Sequence, residues 1–106
     1  MRLNVALTGA SGRAAQELLD ALRFLVVRTR LEPGCLGCSV WLDHDGTVRA
    51  IEEWATEADM RRRIRSDHFT SLLGVIESAK EARVQFDFVS TTRGLEYVAQ
   101  IRAAAT

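Results

Sequence analysis

Two runs of alternating apolar and polar residues, 35–43 and 47–54, are separated only by His44-Asp45-Gly46. Alternation with period two specifies strands, and an Asp-Gly pair between them specifies a tight hairpin. This constrains the chain more than any other feature, because a hairpin of amphipathic strands must bury one face against another layer. The stretch 33–73 extends it: a turn at Pro33-Gly34, the hairpin ending in Trp54, then a helix that carries His68. On the first strand Leu36, Cys38, Val40 and Leu42 share one face, with Cys35, Gly37, Ser39 and Trp41 on the other. On the second, Val48, Ala50, Glu52 and Trp54 oppose Arg49, Ile51 and Glu53.

The flanking segments supply what the hairpin lacks. Leu3, Val5 and Leu7 alternate with Asn4, Ala6 and Thr8, which predicts a strand, and Ser11 is placed to cap a helix over residues 13–30. Its apolar stripe is Ala15, Leu18, Leu19, Leu22, Leu25 and Val26. Thr56 with Asp59 predicts the start of helix two, and Ser66-Asp67 a recapping at a kink, followed by the stripe Phe69, Leu72, Leu73 and Ile76. A last strand spans residues 83–90, with Val84, Phe86 and Phe88 against Gln85, Asp87 and Val89. Thr92 is expected to cap a short C-terminal helix whose apolar side is Leu95, Val98 and Ile101.

The order β-α-β-β-α-β with a tail helix is the α+β, ferredoxin-like arrangement. The 106 residues form one domain, with a core over 1–90 and a helical tail over 91–106. Two helices cover one face of a four-stranded sheet, yet Ala6 and Trp41 add apolar surface to the other. A second copy packed sheet on sheet would cover it, so a homodimer is expected.

Lys+Arg and Asp+Glu both total 14, which argues against general attraction to nucleic acid or anionic lipid. No run is apolar enough for a membrane span, and the N-terminus has no signal-peptide pattern, so a cytoplasmic protein is expected. Cys35 and Cys38 form a C-x-x-C, but residues three apart on a regular strand face opposite ways. They are therefore read as two small half-buried thiols rather than a redox or metal pair.

The combination Pro33-Gly34-Cys35, Glu52-x-Trp54 and Ser66-x-His68-Phe69, in this element order, resembles the antibiotic biosynthesis monooxygenase (ABM) domain family over roughly residues 1–90. The resemblance implies a dimeric α+β barrel with a pocket in each subunit between sheet and helices. It also implies oxidation of a small aromatic, quinol- or polyketide-like compound by molecular oxygen, with no cofactor. The family often carries a histidine where Arg63 stands. Its haem-degrading branch shares Asn4, but has a Trp at the position of Arg63 and a haem-ligating His at that of Leu73. Haem degradation is excluded on those two departures.

Six residues are candidates. His68 is a proton acceptor, or a histidine packed at a helix start. Asn4 and Arg63 are donors to a developing oxyanion, although Asn4 also suits a solvent-facing strand position. Trp54 is an aromatic wall or core filler, and Trp41 is either of these or part of a dimer interface. Glu52 shares the face of Trp54 and, if buried, needs a cation such as Arg49 or an arginine of helix two. His44 is read as a turn residue, and the remaining arginines of 61–65 as a solvated helix face. A non-catalytic dimer that binds a small apolar ligand is the alternative function. A third is isomerase-like chemistry on a phosphorylated molecule held by Arg63.

Overall fold

The strand and helix boundaries in the computed structural model, which describes residues 1–88 and 91–104, follow the capping residues closely. Strand β1 is Arg2–Thr8, helix α1 Gly12–Thr29, β2 Cys35–Leu42 and β3 Val48–Trp54. They are followed by α2 Glu57–Arg65, α3 Asp67–Ser78, β4 Glu81–Asp87, β5 Thr92–Arg93 and α4 Glu96–Ala104. The strands form one antiparallel sheet in the order β2-β3-β1-β4-β5. The fold is ferredoxin-like α+β, with one extra short strand and a tail helix.

The helices pack on one face. Leu3, Val5 and Leu7 of β1, Val48, Ala50 and Trp54 of β3, and Phe86 of β4 meet Leu18, Leu19 and Leu22 of α1 and Phe69, Leu72 and Ile76 of α3 in one core. Ser11, Thr56 and Ser66 cap α1, α2 and α3, each accepting from the backbone N–H three residues on. The hairpin turns at Asp45-Gly46, where Gly46 has φ +85°. Gly34 has φ +82°, and a Cβ there would overlap the carboxyl of Asp59, so the turn after α1 lies directly against the start of α2.

The structure departs from the sequence reading in four places. The expected kinked helix is two helices: Ser66 has extended backbone (φ −72°, ψ 152°), so it ends α2 and begins α3. Thr92 does not cap a helix, because it pairs with Asp87 as part of β5, and α4 starts at Glu96. The buried side of α4 is Tyr97, Val98 and Ile101, whereas Leu95 is exposed; the Tyr97 ring packs on Phe86 and Phe88 at 5.3 and 5.1 Å.

The fourth departure lies in β2. A bulge between Cys35 and Gly37 places Cys35 opposite Trp54 and Cys38 opposite Glu52, both inward-facing positions of β3. The extra residue shifts the alternation by one for Cys35 and Leu36, and from Gly37 onward the strand keeps the faces read from the sequence. Leu36 is pushed out to solvent, and both cysteines turn toward the helices. The expected continuation of the last strand through Val89 and Ser90 lies outside the described residues, as do the final two residues of the tail.

Ser66 both accepts from Phe69 N–H (3.2 Å) and donates to the Arg63 carbonyl (2.7 Å). Ser66→Ala is expected to lower stability by about 1 kcal/mol in urea denaturation, the usual cost of losing an N-cap. An unchanged midpoint would mean the cap contributes nothing.

Candidate functional site

Helix α2 is capped by Thr56 and is rich in arginine, but its inward stripe is Met60, Arg63 and Ile64. Arg63 is thus the one arginine of the 61–65 run carried into the interior. Arg61 pairs with Glu57 and Arg62 with Asp59 on the outer side. Strand β3 delivers Glu52 inward by simple alternation between the buried positions Ala50 and Trp54.

The two charges meet side on. Arg63 Nε donates to Glu52 Oε1 at 3.1 Å and Nη2 to Oε2 at 3.0 Å, the forked pairing that guanidinium and carboxylate prefer. Trp54 Nε1 donates to the same Oε1 at 3.2 Å, and the Arg63 guanidinium lies 5.1 Å above the Phe69 ring. With side chains 1% and 6% exposed, this pair is removed from water, so the complementary hydrogen bonds are what make it tolerable there. Arg49, the other cation considered for Glu52, bonds Asp43 at the far end of the hairpin instead.

A relay of polar atoms continues from Arg63 into α1 and α3. Arg63 Nη2 reaches Thr29 Oγ1 at 3.3 Å, and Thr29 Oγ1 donates to the Leu25 carbonyl at 3.0 Å. His68 Nε2 lies 3.2 Å from that carbonyl and 3.3 Å from Thr29 Oγ1. A carbonyl can only accept, so this geometry assigns the proton of a neutral His68 to Nε2. The ring is buried and joined to Arg63 through Thr29.

Two buried polar atoms among the described residues have no hydrogen-bond partner: Arg63 Nη1 and Glu32 Oε2. The Glu32 carboxylate lies 3.4 Å from Arg63 Nε but is not aligned to accept from it. Both residues line a cavity of about 130 Å³, together with Trp54, Asp59 and Ser66. Arg63 also lines a second void, between α1, α3 and the sheet, of only about 10 Å³. The pocket expected between sheet and helices is thus largely filled by side chains, and the cavity that remains beside Arg63 lies at the α1–β2 turn. His68 is not among the residues lining either space.

Asn4 and Trp41 are elsewhere. They sit on the helix-free face of the sheet, beside a trough of about 350 Å³ that Arg49, Ile51, Arg83 and Gln85 also line. Asn4 Nδ2 donates to Asp87 Oδ2 at 2.8 Å. Of the six candidates, Glu52, Trp54, Arg63 and His68 come together, and Asn4 and Trp41 are separated from them by the sheet itself. Thr29 and Glu32 were not among the candidates. Thr29 is four residues beyond Leu25, in line with the apolar stripe of α1, and a hydroxyl there was a readable signal. Glu32 gave none.

Comparison with known proteins decides the relationship. The sequence profile described as antibiotic biosynthesis monooxygenase matches residues 1–73. The chain belongs to this family. A solved structure named antibiotic biosynthesis monooxygenase is 30% identical, with a TM-score of 0.64 over 84% of this chain and 99% of that one. A protein from Pseudomonas aeruginosa is 25% identical, with a TM-score of 0.67 over 88% and 90%. SnoaB, a cofactor-independent oxygenase from Streptomyces nogalater, shares the fold at 15% identity, with a TM-score of 0.65 over 85% and 93%. No curated protein matches the chain by sequence. Among the described residues no helix is long and apolar enough to cross a membrane.

The cysteines border the cluster. Burial pushes the Cys38 thiol up to about 12, helped by the Glu52 carboxylate, and burial likewise raises Cys35. A thiol whose folded pKa is raised stays protonated while the unfolded chain ionises, so stability is intact below pH 9 and falls as pH rises toward 12. Cys38→Ala is expected to flatten that alkaline decline in thermal melts between pH 8 and 11. An equal decline in both proteins would place its cause at other groups.

Proposed function

We propose that this member of the family is a cofactor-independent oxygenase that oxidises a small electron-rich aromatic, of hydroquinone or anthrone type, with molecular oxygen. The observation that carries the reading is a largely apolar cavity at the α1–β2 turn that Trp54 and the buried Arg63 both line. A buried donor left without an acceptor costs about 1–3 kcal/mol, so Arg63 Nη1 keeps hydrogen-bonding capacity that the fold itself does not use. Deprotonated hydroquinones and anthrones are electron-rich enough to pass an electron to oxygen directly. For an anthrone, one oxygen atom enters the product and the other leaves as water. The protein then has to bind the ring, accept a proton and stabilise the oxyanion.

In this reading Arg63 holds the oxyanion and Trp54 bounds the ring. Glu52 orients the guanidinium, leaving Nη1 directed away from the carboxylate. His68 serves as a positioning residue, holding Thr29 against Arg63 Nη2 rather than meeting substrate. Arg63→Lys keeps the charge beside Glu52 but removes the second terminal NH₂. It is expected to lower the oxygen consumed per second with added hydroquinone by about 100-fold, the usual scale for one oxyanion donor. Uptake equal to wild type would take Arg63 out of the chemistry.

The near-absence of free volume between sheet and helices favours a second reading, a non-catalytic binder of a small ring at the same turn. Oxygen uptake separates the two, since a binder consumes none.

The functional unit in this proposal is a homodimer formed through the helix-free face. That face carries half-buried Ala6, Trp41 and Ile51, with Arg2, Arg49 and Arg83 balanced by Glu53, Glu81 and Asp87. A self-complementary surface of this kind suits a two-fold contact. Light scattering at micromolar concentration is expected to give twice the 11.8 kDa chain mass; a monomer would overturn the assembly.

A further inference from the structure

We infer that the outer face of α1 is a self-association surface, on which two copies of the chain meet with their α1 helices antiparallel about a two-fold axis at Phe24. The inference is independent of the oxygenase reading and of the contact through the sheet. The outer side of a helix packed on a sheet is ordinarily polar. Here Phe24 is 83% exposed, Val27 66%, and Leu31, just past the end of α1, 81%. They recur at i, i+3 and i+7, so they form one apolar stripe, opposite the buried stripe of Leu18, Leu19, Leu22 and Val26. A contiguous exposed apolar patch of this kind marks an interaction surface.

The charges beside the stripe say what covers it. Asp20 and Arg28 stand four residues before and four after Phe24, about 6 Å along the helix in either direction and on the same side. A two-fold axis through Phe24 brings each residue before it in one copy against the residue equally far after it in the other. Asp20 of each copy then faces Arg28 of the other, and two opposite-charge contacts flank the paired aromatic rings. Among the described residues, exposed Asp20 is met only by Gln16 Nε2, at 2.9 Å, and exposed Arg28 reaches no carboxylate. In the same register Val27 falls against Ala21, and Leu31 against the methylene stem of Glu17, whose carboxylate is turned to Arg13 at 3.5 Å. A parallel pairing would instead set Asp20 against Asp20 and Arg28 against Arg28. The two arginines and two carboxylates along this face cancel, so it has no net attraction for an anionic lipid surface or for nucleic acid.

One helix per copy buries less than the roughly 1,200 Å² at which lasting interfaces begin, so the contact forms only in concentrated protein. Sedimentation velocity on the full chain is expected to show the mass rising at least twofold between about 10 μM and about 1 mM, the range for a weak contact of this size. Phe24→Asp is expected to keep the low-concentration mass throughout. Asp20→Arg and Arg28→Glu, each alone, are expected to do the same, since each sets like charges face to face. Mixed in equal amounts, these two variants are expected to associate as wild type does, because each supplies the charges that the other lacks. All three side chains are exposed, so the substitutions leave the fold intact, and melting temperatures close to wild type verify this. A wild-type mass that does not change with concentration overturns the inference. So does association of Phe24→Asp, or of either charge variant alone, to the wild-type extent. Loss in the charge variants without recovery in the mixture also overturns it, because only the antiparallel pairing of two copies predicts that recovery.

Discussion

The pairing of Arg63 with Glu52 is the interaction around which the rest of the interior is arranged. Neither charge could be buried alone: each alone would cost several kcal/mol of lost hydration, and only mutual contact with further donors offsets it. That requirement fixes the depth of α2 over the sheet, since the guanidinium must reach β3 with both of its forks engaged. It also explains the company the pair keeps. Trp54 spends its indole N–H on the carboxylate, Phe69 lies under the guanidinium, and Thr29 brings the end of α1 into the same network.

Much of the architecture was legible because local signals agreed with each other. Strand alternation, the Asp45-Gly46 turn and the serine and threonine caps each pointed to the same element order, and the sheet followed from it. What escaped was wherever a single residue changed the count. The bulge at Cys35–Gly37 carries no sequence mark beyond Gly37, yet it turns Cys35 inward and Leu36 outward, while the rest of β2 keeps the alternation read from the sequence. The extra strand at Thr92–Arg93 is too short to show alternation, and Tyr97 was passed over because its burial depends on Phe86 and Phe88 coming from β4.

The candidate site was legible in its residue types and less so in its geometry. Glu52, Trp54 and Arg63 belong together because β3 alternation and the α2 stripe both direct them inward. Asn4 has the opposite parity on β1 to Leu3 and Val5, so it falls on the far side of the sheet, and Trp41 follows through its pairing with Arg49. The position of Glu32 beside Arg63 depends on how a turn folds back over α2, which no periodic pattern reports.

That turn has a consequence for how the family can diversify. Gly34 lets the backbone touch Asp59 with no side chain between them, so the gap between the α1–β2 turn and α2 is already at its minimum. Any other residue at this position would act as a wedge, lifting Pro33 and Glu32 away from Trp54 and enlarging the space they enclose. The volume of that space would then be graded by the bulk of a residue that is not part of its wall. A change in what the cavity can admit could thus begin with a substitution outside its wall, and remodelling of the lining residues would follow it.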